Sequence, residues 1–341
     1  MRDLLVAGGG PVGLATALEA WHAGLDVCVV EPRDGAIDKA CGEGLMPGAV
    51  DALTGLGIAL DDGHPITGIR YLDGSRAVDA PFTRGPGLGV RRTALHAAMS
   101  DAVSAAGVPT ARRAVRTIED RGDHLLVDGE PTRHLVAADG LHSPVRRLVG
   151  LDRPASGPRR YGQRFHVEVE PWTSMVEVHW SPLGEAYVTP VGPGLVGVAV
   201  LSAARVPLPE LTGSFSRLDD RLDGPVVSRV RGAGPLRQRT RRRVAGRVLL
   251  VGDAAGYVDA LTGEGIALGL AQARAAVAAI AAGRPESYEA AWRRLCWRHD
   301  LLTKALLTTT RHRAVRRRVV AAAAALPQVF GAAVDQLARP A

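Results

Sequence analysis

The chain has 341 residues, 46% hydrophobic and 23% charged, which excludes a disordered or fibrous class and leaves room for more than one folded unit. Its net charge of +7 is carried by arginine, since Lys39 and Lys304 are the only lysines among 42 basic residues, and aromatics make up just 4% of the chain, so no nucleic-acid partner is expected. Three cysteines, Cys28, Cys41 and Cys296, without CxxC spacing argue against a disulfide scaffold or a metal site and for a reducing, cytoplasmic setting.

Residues 3–31, "DLLVAGGGPVGLATALEAWHAGLDVCVVE", predict a strand, a glycine turn, a helix and a second strand that ends in an acid. Gly8, Gly10 and Gly13 form GxGxxG, Pro11 suits the first helical position, and Gly24 suits the cap that closes the helix. A tight turn at Gly8, a bare backbone at Gly10 and close helix packing at Gly13 together make a pyrophosphate cradle, and Glu31 is placed to accept hydrogen bonds from a ribose. A bound dinucleotide follows.

Further along, "CGEGLMP" spans Cys41 to Pro47, and Ile66 to Phe82 predict a hairpin with its turn at Asp73-Gly74. "GVRRTAL" opens a helix with Arg91 and Arg92. "HLVAADGLHSPVRRLVG" places Asp139 at a strand end, with Ser143 and Pro144 as cap and first residue of a helix carrying Arg146 and Arg147. These two arginines read either as an exposed helical face or as partners for Asp139. From Arg159 the β-like runs "RYGQRFHVEVEPW", "SMVEVHW", "GEAYVTPVG" and "GLVGVAVLS" predict an antiparallel sheet. The last two contain a second GxGxxG, Gly192, Gly194 and Gly197, but a β-run rather than a helix follows it, so this copy reads as a hairpin turn. "RVLLVGDAAGYVDALTGEGIALGLAQA" then repeats the strand-acid-glycine design at Asp253.

GxGxxG with Glu31, the "DGxxSxxR" of Asp139 to Arg146, and "GDAAGYVDALTGEG" together resemble the FAD-dependent monooxygenase family of the para-hydroxybenzoate hydroxylase fold. With "CGEGLMP" added, the chain is most similar to that family's geranylgeranyl-reductase-related branch. The resemblance implies an α/β fold: a discontinuous, Rossmann-like FAD-binding domain of the glutathione-reductase type, an inserted antiparallel substrate sheet and a C-terminal helical segment. The expected divisions are residues 1–65, 83–155 and 235–283 for FAD, 66–82 and 156–234 for substrate, and 284–341 for the helices. It implies FAD contacts from Gly8, Gly10, Pro11, Val12 and Gly13, from Glu31, Pro32 and Arg33 around the adenosine ribose, and from Val115. Arg91 is expected at the phosphates, although a solvated pair with Arg92 is the alternative. Gly252 and Asp253 are expected at the ribityl-phosphate side, with Asp139 orienting loops. Gly263, Glu264, Gly265 and Ile266 are expected at the flavin pyrimidine edge, where a helix N-terminus would stabilise charge on reduced flavin. Cys41 and Gly42 would pass near the ring, Cys41 as a small residue or a redox thiol.

Strand periodicity sets Met175, Glu177 and His179 on one face and Val176, Val178 and Trp180 on the other, and Gly162, Arg164, His166 and Glu168 opposite Gln163, Phe165 and Val167. Parity leaves open which face meets the cofactor. His166, His179 and Tyr187 are the candidates for proton transfer, or else satisfied strand residues. The leading expectation is an FAD-dependent monooxygenase, reduced by NAD(P)H, that hydroxylates an aromatic or polyketide-type intermediate of secondary metabolism through a flavin C4a-hydroperoxide. The alternatives are geranylgeranyl-reductase-like reduction of prenyl double bonds and a non-redox or degenerate flavin-binding protein. Arg311, Arg313, Arg316, Arg317 and Arg318 before "VVAAAAAL" read as a solvated helix end or a peripheral membrane contact.

Overall fold

A computed structural model describes residues 1–310 except positions 74, 75, 156, 158, 204, 216, 261 and 262. The expected turn residue Gly74 and the basic C-terminal run therefore lie outside the described residues. Four parallel pairings build the nucleotide-side sheet, in the order Val248–Leu250, Glu130–Ala137, Arg2–Ala7, Val27–Val30 and Thr110–Ala111. Val27–Val30, Val248–Leu250 and the C-terminal ends of Arg2–Ala7 and Glu130–Ala137 are buried and apolar on both faces, as a parallel sheet covered by helices requires. Leu4, Val6, Val29, Leu135 and Leu249 form the centre of this core. An antiparallel meander, Ile118–Asp120 and Leu125–Val127 leading into Glu130–Ala137, extends it in a way no motif announced.

The first helix, Pro11–His22, has proline at its first turn and Gly24 at φ +74 just beyond its end. It packs against helix Gly265–Ala281 and helix Arg92–Ala105 on the same sheet. Ser143 Oγ accepts the Arg146 amide at 2.9 Å and starts helix Pro144–Leu148.

The second sheet runs Arg231–Ala233, Tyr161–Glu168, Leu195–Ser202, Gly184–Gly192, Met175–Trp180, Gly68–Asp73 and Arg76–Pro81. The Gly184–Gly192 and Leu195–Ser202 strands form a hairpin, so the second GxGxxG is the turn that its flanking strands indicated. The hairpin Gly68–Pro81 joins this sheet, but through a parallel pairing with Met175–Trp180, so the inserted sheet is mixed at that one junction rather than purely antiparallel. The parallel register arises because the two strands come from different chain passages, with a long crossover between them.

The far face of this sheet, carrying Phe165, Val188, Val196 and Val198, is covered by Leu211, Phe215 and Leu218. The near face, carrying Ile69, Val178, Tyr187 and Leu201, meets Met46, Leu236 and Tyr257. The last described helix is Tyr288–Thr310. Among the described residues, no helix is long and apolar enough to cross a membrane.

Candidate active site

The glycine turn admits no side chain at two points. Gly8 sits at φ +107, where an added Cβ would lie 2.5 Å from the Ala138 carbonyl oxygen, and a Cβ on Gly13 would lie 1.8 Å from the Gly8 carbonyl oxygen. Gly10 differs: its added Cβ would face open space, with Arg92 Nη2 nearest at 3.8 Å. Beside the turn, Glu31 accepts the Gly9 amide at 2.8 Å, the Arg33 amide at 3.0 Å, and Arg33 Nε and Nη2 at 2.7 and 3.0 Å. Burial pushes the Glu31 carboxyl up, and the bonds from Arg33 and Gly9 outweigh it and hold the carboxyl below its ordinary value. Its four acceptor positions are thus filled, two of them by the side chain of Arg33, which is 43% exposed. Pro32 is exposed, Val12 packs against Gly252, and Val115 is buried in the core of this unit.

The two arginines of "GVRRTAL" separate sharply. Arg91 caps helix Arg92–Ala105 with its side chain exposed, whereas Arg92 is buried, with Nη1 unpartnered and Nη2 beside Gly10. The expectation placed on Arg91 is corrected accordingly: the helix start turns the first side chain outward and the second inward. Lys39 lies across the same crevice, its Nζ 3.2 Å from the Cβ position of Gly140. Burial, opposed by the nearby cations Lys39, Arg92 and Arg146, raises the Asp253 carboxyl. Asp139 accepts the Val145 amide at 3.0 Å through Oδ2, its Oδ1 has no partner, and burial raises it too.

Arg146 is neither an exposed face nor the partner of Asp139. It is 1% exposed and bonds Asp152, the carbonyls of Leu141, Asp253 and Ala254, and Gln238, which ties the Asp253 loop to its neighbours. Arg147 is exposed and donates to the His142 carbonyl at 2.8 Å.

The "CGEG" segment holds the largest surprise. Glu43, 3% exposed and at φ +59, accepts the Arg92 amide at 2.8 Å through Oε1 and lies 2.7 Å from His166 Nε2 through Oε2. His166 Nδ1 meets Ser228 Oγ at 2.9 Å and Arg164 Nη1 at 3.3 Å. Arg164 Nη2 in turn reaches Asp38 and the Lys39 carbonyl, and Arg231 closes the set on Asp38 at 2.8 Å. Thr189 Oγ1 donates to the Gly42 carbonyl at 2.8 Å. The face of Arg164, His166 and Tyr187 is therefore the one that meets the crevice.

His179 is corrected: it lies on the opposite face, 3.0 Å from Glu177 Oε2, which also accepts Trp172 Nε1 at 3.1 Å. Strand parity reverses it relative to Tyr187. Tyr187 faces inward, near Tyr257, and Tyr71 stacks beside Trp180 at a centroid distance of 5.7 Å. Burial pushes all three tyrosine hydroxyls well above their ordinary value. Burial likewise raises the Cys41 thiol, which favours a neutral small residue over a reactive thiolate.

At the far wall, Gly263 has φ +68 and helix Gly265–Ala281 begins at the expected position, with Ile266 packed against the core. Glu264 is 6% exposed, one oxygen 2.9 Å from His299 Nδ1 and the other without a partner.

Residues the sequence did not single out are Glu43, Arg92, Lys39, Asp38 and Arg164. The only available signal was charge within apolar company: Glu43 between two glycines, and Arg164 on a strand of alternating apolar residues.

Residues 1–208 match the family model described as an FAD binding domain. The chain is 30% identical to a menaquinone reductase of Mycolicibacterium smegmatis, over 87% of this chain and 80% of that protein. It is also 30% identical to digeranylgeranylglycerophospholipid reductase 1 of Methanopyrus kandleri, over 77% of this chain and 76% of that protein. Among solved structures, a Diels-Alderase of pyrroindomycin biosynthesis superposes with a TM-score of 0.80 at 24% identity, covering 99% of this chain and 80% of its own. The glycine turn falls within the residues matched to that FAD-binding domain, and the chain belongs to the FAD-binding family of flavoprotein oxidoreductases.

Proposed function

We propose that the protein is a reductase that saturates a carbon–carbon double bond of a prenyl-type lipid, with FAD as its resident cofactor and NAD(P)H as the transient electron source. The residues fit FAD: Gly10 offers a bare backbone with Arg92 Nη2 beside it, and the buried, unpartnered Nη1 of the same guanidinium is the donor that a pyrophosphate would satisfy. Gly8, Gly13, Lys39, Arg92 and Asp253 would hold the phosphates and ribityl chain, Glu31 the adenosine ribose after Arg33 swings aside, and the amides of Gly263 to Ile266 the pyrimidine edge. When bound and reduced, FAD supplies the hydride.

The observation that carries the reading is the chemistry of the inward sheet face. Ile69, Val178, Leu201, Met46 and Leu236 line it with hydrocarbon, and the polar groups of Tyr71, Tyr187 and Tyr257 are kept protonated by burial. Such a surface excludes water, and the buried acids beside Tyr187, Glu185 and Asp259, are paired with Arg160 rather than placed as a base to ionise a phenol. His166 is on this face, but it is buried and held by Glu43, Ser228 and Arg164, so it orients the sheet rather than taking a substrate proton. The reductases of menaquinone and of a digeranylgeranyl lipid among the relatives support the same substrate class.

Product mass decides the matter. Holoenzyme given NAD(P)H and either menaquinone or a geranylgeranyl lipid in detergent is expected to yield a product heavier by two hydrogens. Incorporation of oxygen from ¹⁸O₂ into an aromatic substrate, with both prenyl lipids untouched, would establish hydroxylation instead. A product of unchanged mass from either lipid would point to the non-redox alternative.

A further inference from the structure

The helix that begins at Gly265 has 17 residues, and its first amides have no intrahelical acceptors, so its N-terminus carries partial positive charge toward the crevice. At its cap stands a carboxylate of unusual circumstance. Glu264 is 94% buried by its 6% exposure, Oε2 is 2.9 Å from His299 Nδ1, and Oε1 is buried with no partner among the described residues. A fully ionised carboxylate would not leave a buried oxygen unbonded, because that forfeits the hydration it had in water. A carboxyl that carries a proton on one oxygen in part of its working cycle accounts for the arrangement.

We propose that Glu264 takes up a proton when the bound FAD is reduced, with His299 as the group through which that proton exchanges. Two electrons delivered by a nicotinamide or an artificial reductant add negative charge to the cofactor. Glu264 then binds one proton from solvent in addition to the proton the flavin itself takes, so charge near the helix N-terminus changes by one unit less. The groups that face Glu264 are His299 on helix Tyr288–Thr310, Tyr71 on strand Gly68–Asp73, and Tyr257, whose ring lies 3.9 Å from the Cβ position of Gly265. Burial already raises the Glu264 carboxyl, opposed by His299, so added negative charge acts on a group poised to respond. Of the other acids, Glu43 and Glu31 have both oxygens engaged, whereas Asp139 shares the unpartnered oxygen but lies at the Val145 amide, away from the Gly265 helix.

The inference rests on the placement of FAD proposed above and not on the choice between reduction and hydroxylation, because its test uses no substrate. Reduced-minus-oxidised infrared difference spectra of the holoenzyme are expected to show a carboxylic-acid carbonyl band that is lost in Glu264→Gln. The midpoint potential of wild type is expected to fall more steeply with pH than that of Glu264→Gln, by about 30 mV per pH unit, the equivalent of one extra proton per two electrons. A wild-type spectrum without that band, or equal slopes in the two proteins, overturns the proposal. If Glu264→Gln does not retain FAD, Glu264→Asp keeps the carboxyl and must move the band; an unmoved band overturns the proposal as well. Ordinary flavin absorbance in the same samples reports separately whether the cofactor site itself was assigned correctly.

Discussion

Removing the side chain of Glu43 should disconnect the cofactor crevice from the substrate sheet. In Glu43→Ala the buried Arg92 amide loses its acceptor at 2.8 Å, and His166 loses its partner at 2.7 Å. A buried donor left unsatisfied costs about 1–3 kcal/mol, and the buried Arg164 guanidinium, its Nε 3.8 Å from Oε1, also loses its carboxylate, a loss of about 3–5 kcal/mol for a buried ion pair. The two losses share one carboxylate and do not add fully, so the expected destabilisation is about 3–5 kcal/mol, a large part of the roughly 5–15 kcal/mol typical of a whole domain. Alanine keeps the Cβ at φ +59 and so recovers none of the backbone strain, roughly 1–2 kcal/mol, that the left-handed conformation imposes. Glu43→Gly should therefore be less damaging than Glu43→Ala by about that amount, the reverse of the usual order in regular structure. Urea unfolding of holoprotein at fixed FAD concentration measures all of this, and a double-mutant cycle with His166→Ala isolates the pair. A loss below about 1 kcal/mol in Glu43→Ala, or no coupling to His166, would refute the reasoning.

Two other substitutions test the cradle. Gly13→Ala places a methyl 1.8 Å from the Gly8 carbonyl oxygen, a clash with backbone that cannot rotate away; beyond the roughly 1–3 kcal/mol of ordinary overpacking, it should open the turn and give protein without flavin absorbance. Asp253→Asn should weaken FAD retention, and a wild-type flavin content would mean that another acid does this work. Because burial raises the Asp253 carboxyl, its contribution to apoprotein stability is present below the unfolded-state value and lost as pH rises through the folded one. The asparagine apoprotein should accordingly be the more stable of the two near neutral pH, with the advantage fading toward pH about 4, as followed by thermal unfolding across pH.

What the sequence discloses is local chemistry. Pro11, Gly24, Ser143 and the Gly194 turn act on neighbours a few residues away, and each does so where its chemistry indicated. The spacing of Gly8, Gly10 and Gly13 is legible for the same reason, since the contacts that forbid side chains are made within one turn and to the adjacent strand. Glu43 and His166 are 123 residues apart, and Asp38 and Arg164 are 126 apart, so no window or period could pair them. Strand parity sorted His179 away from Val178 but had no means of choosing the face that turns inward, because that depends on what packs above. Arg146 and Arg92 show the same limit from the other side. An arginine at a helix start reads as solvent-facing until the chain passages that bury it are folded around it.

Residues 38–45 explain how a cofactor site and a substrate surface built from distant chain passages can act together. Asp38 and the Lys39 carbonyl hold Arg164, the Gly42 carbonyl holds Thr189, and Glu43 holds His166, so four successive anchors fix this segment to three points of the inserted sheet. The same segment grips the other side, for Glu43 holds the Arg92 amide and Gly44–Leu45 pair with Gly87–Gly89. Arg92 is also the residue whose Nη2 lies beside Gly10 and whose Nη1 is buried without a partner. An anion that settles there draws on the side chain whose own backbone is clamped by Glu43, and Glu43 reaches the sheet through one further hydrogen bond. On the proposed placement of FAD, cofactor retention and the position of the sheet's inward face are therefore coupled. The non-glycine residue in a left-handed conformation at the centre of the segment is where that coupling is held.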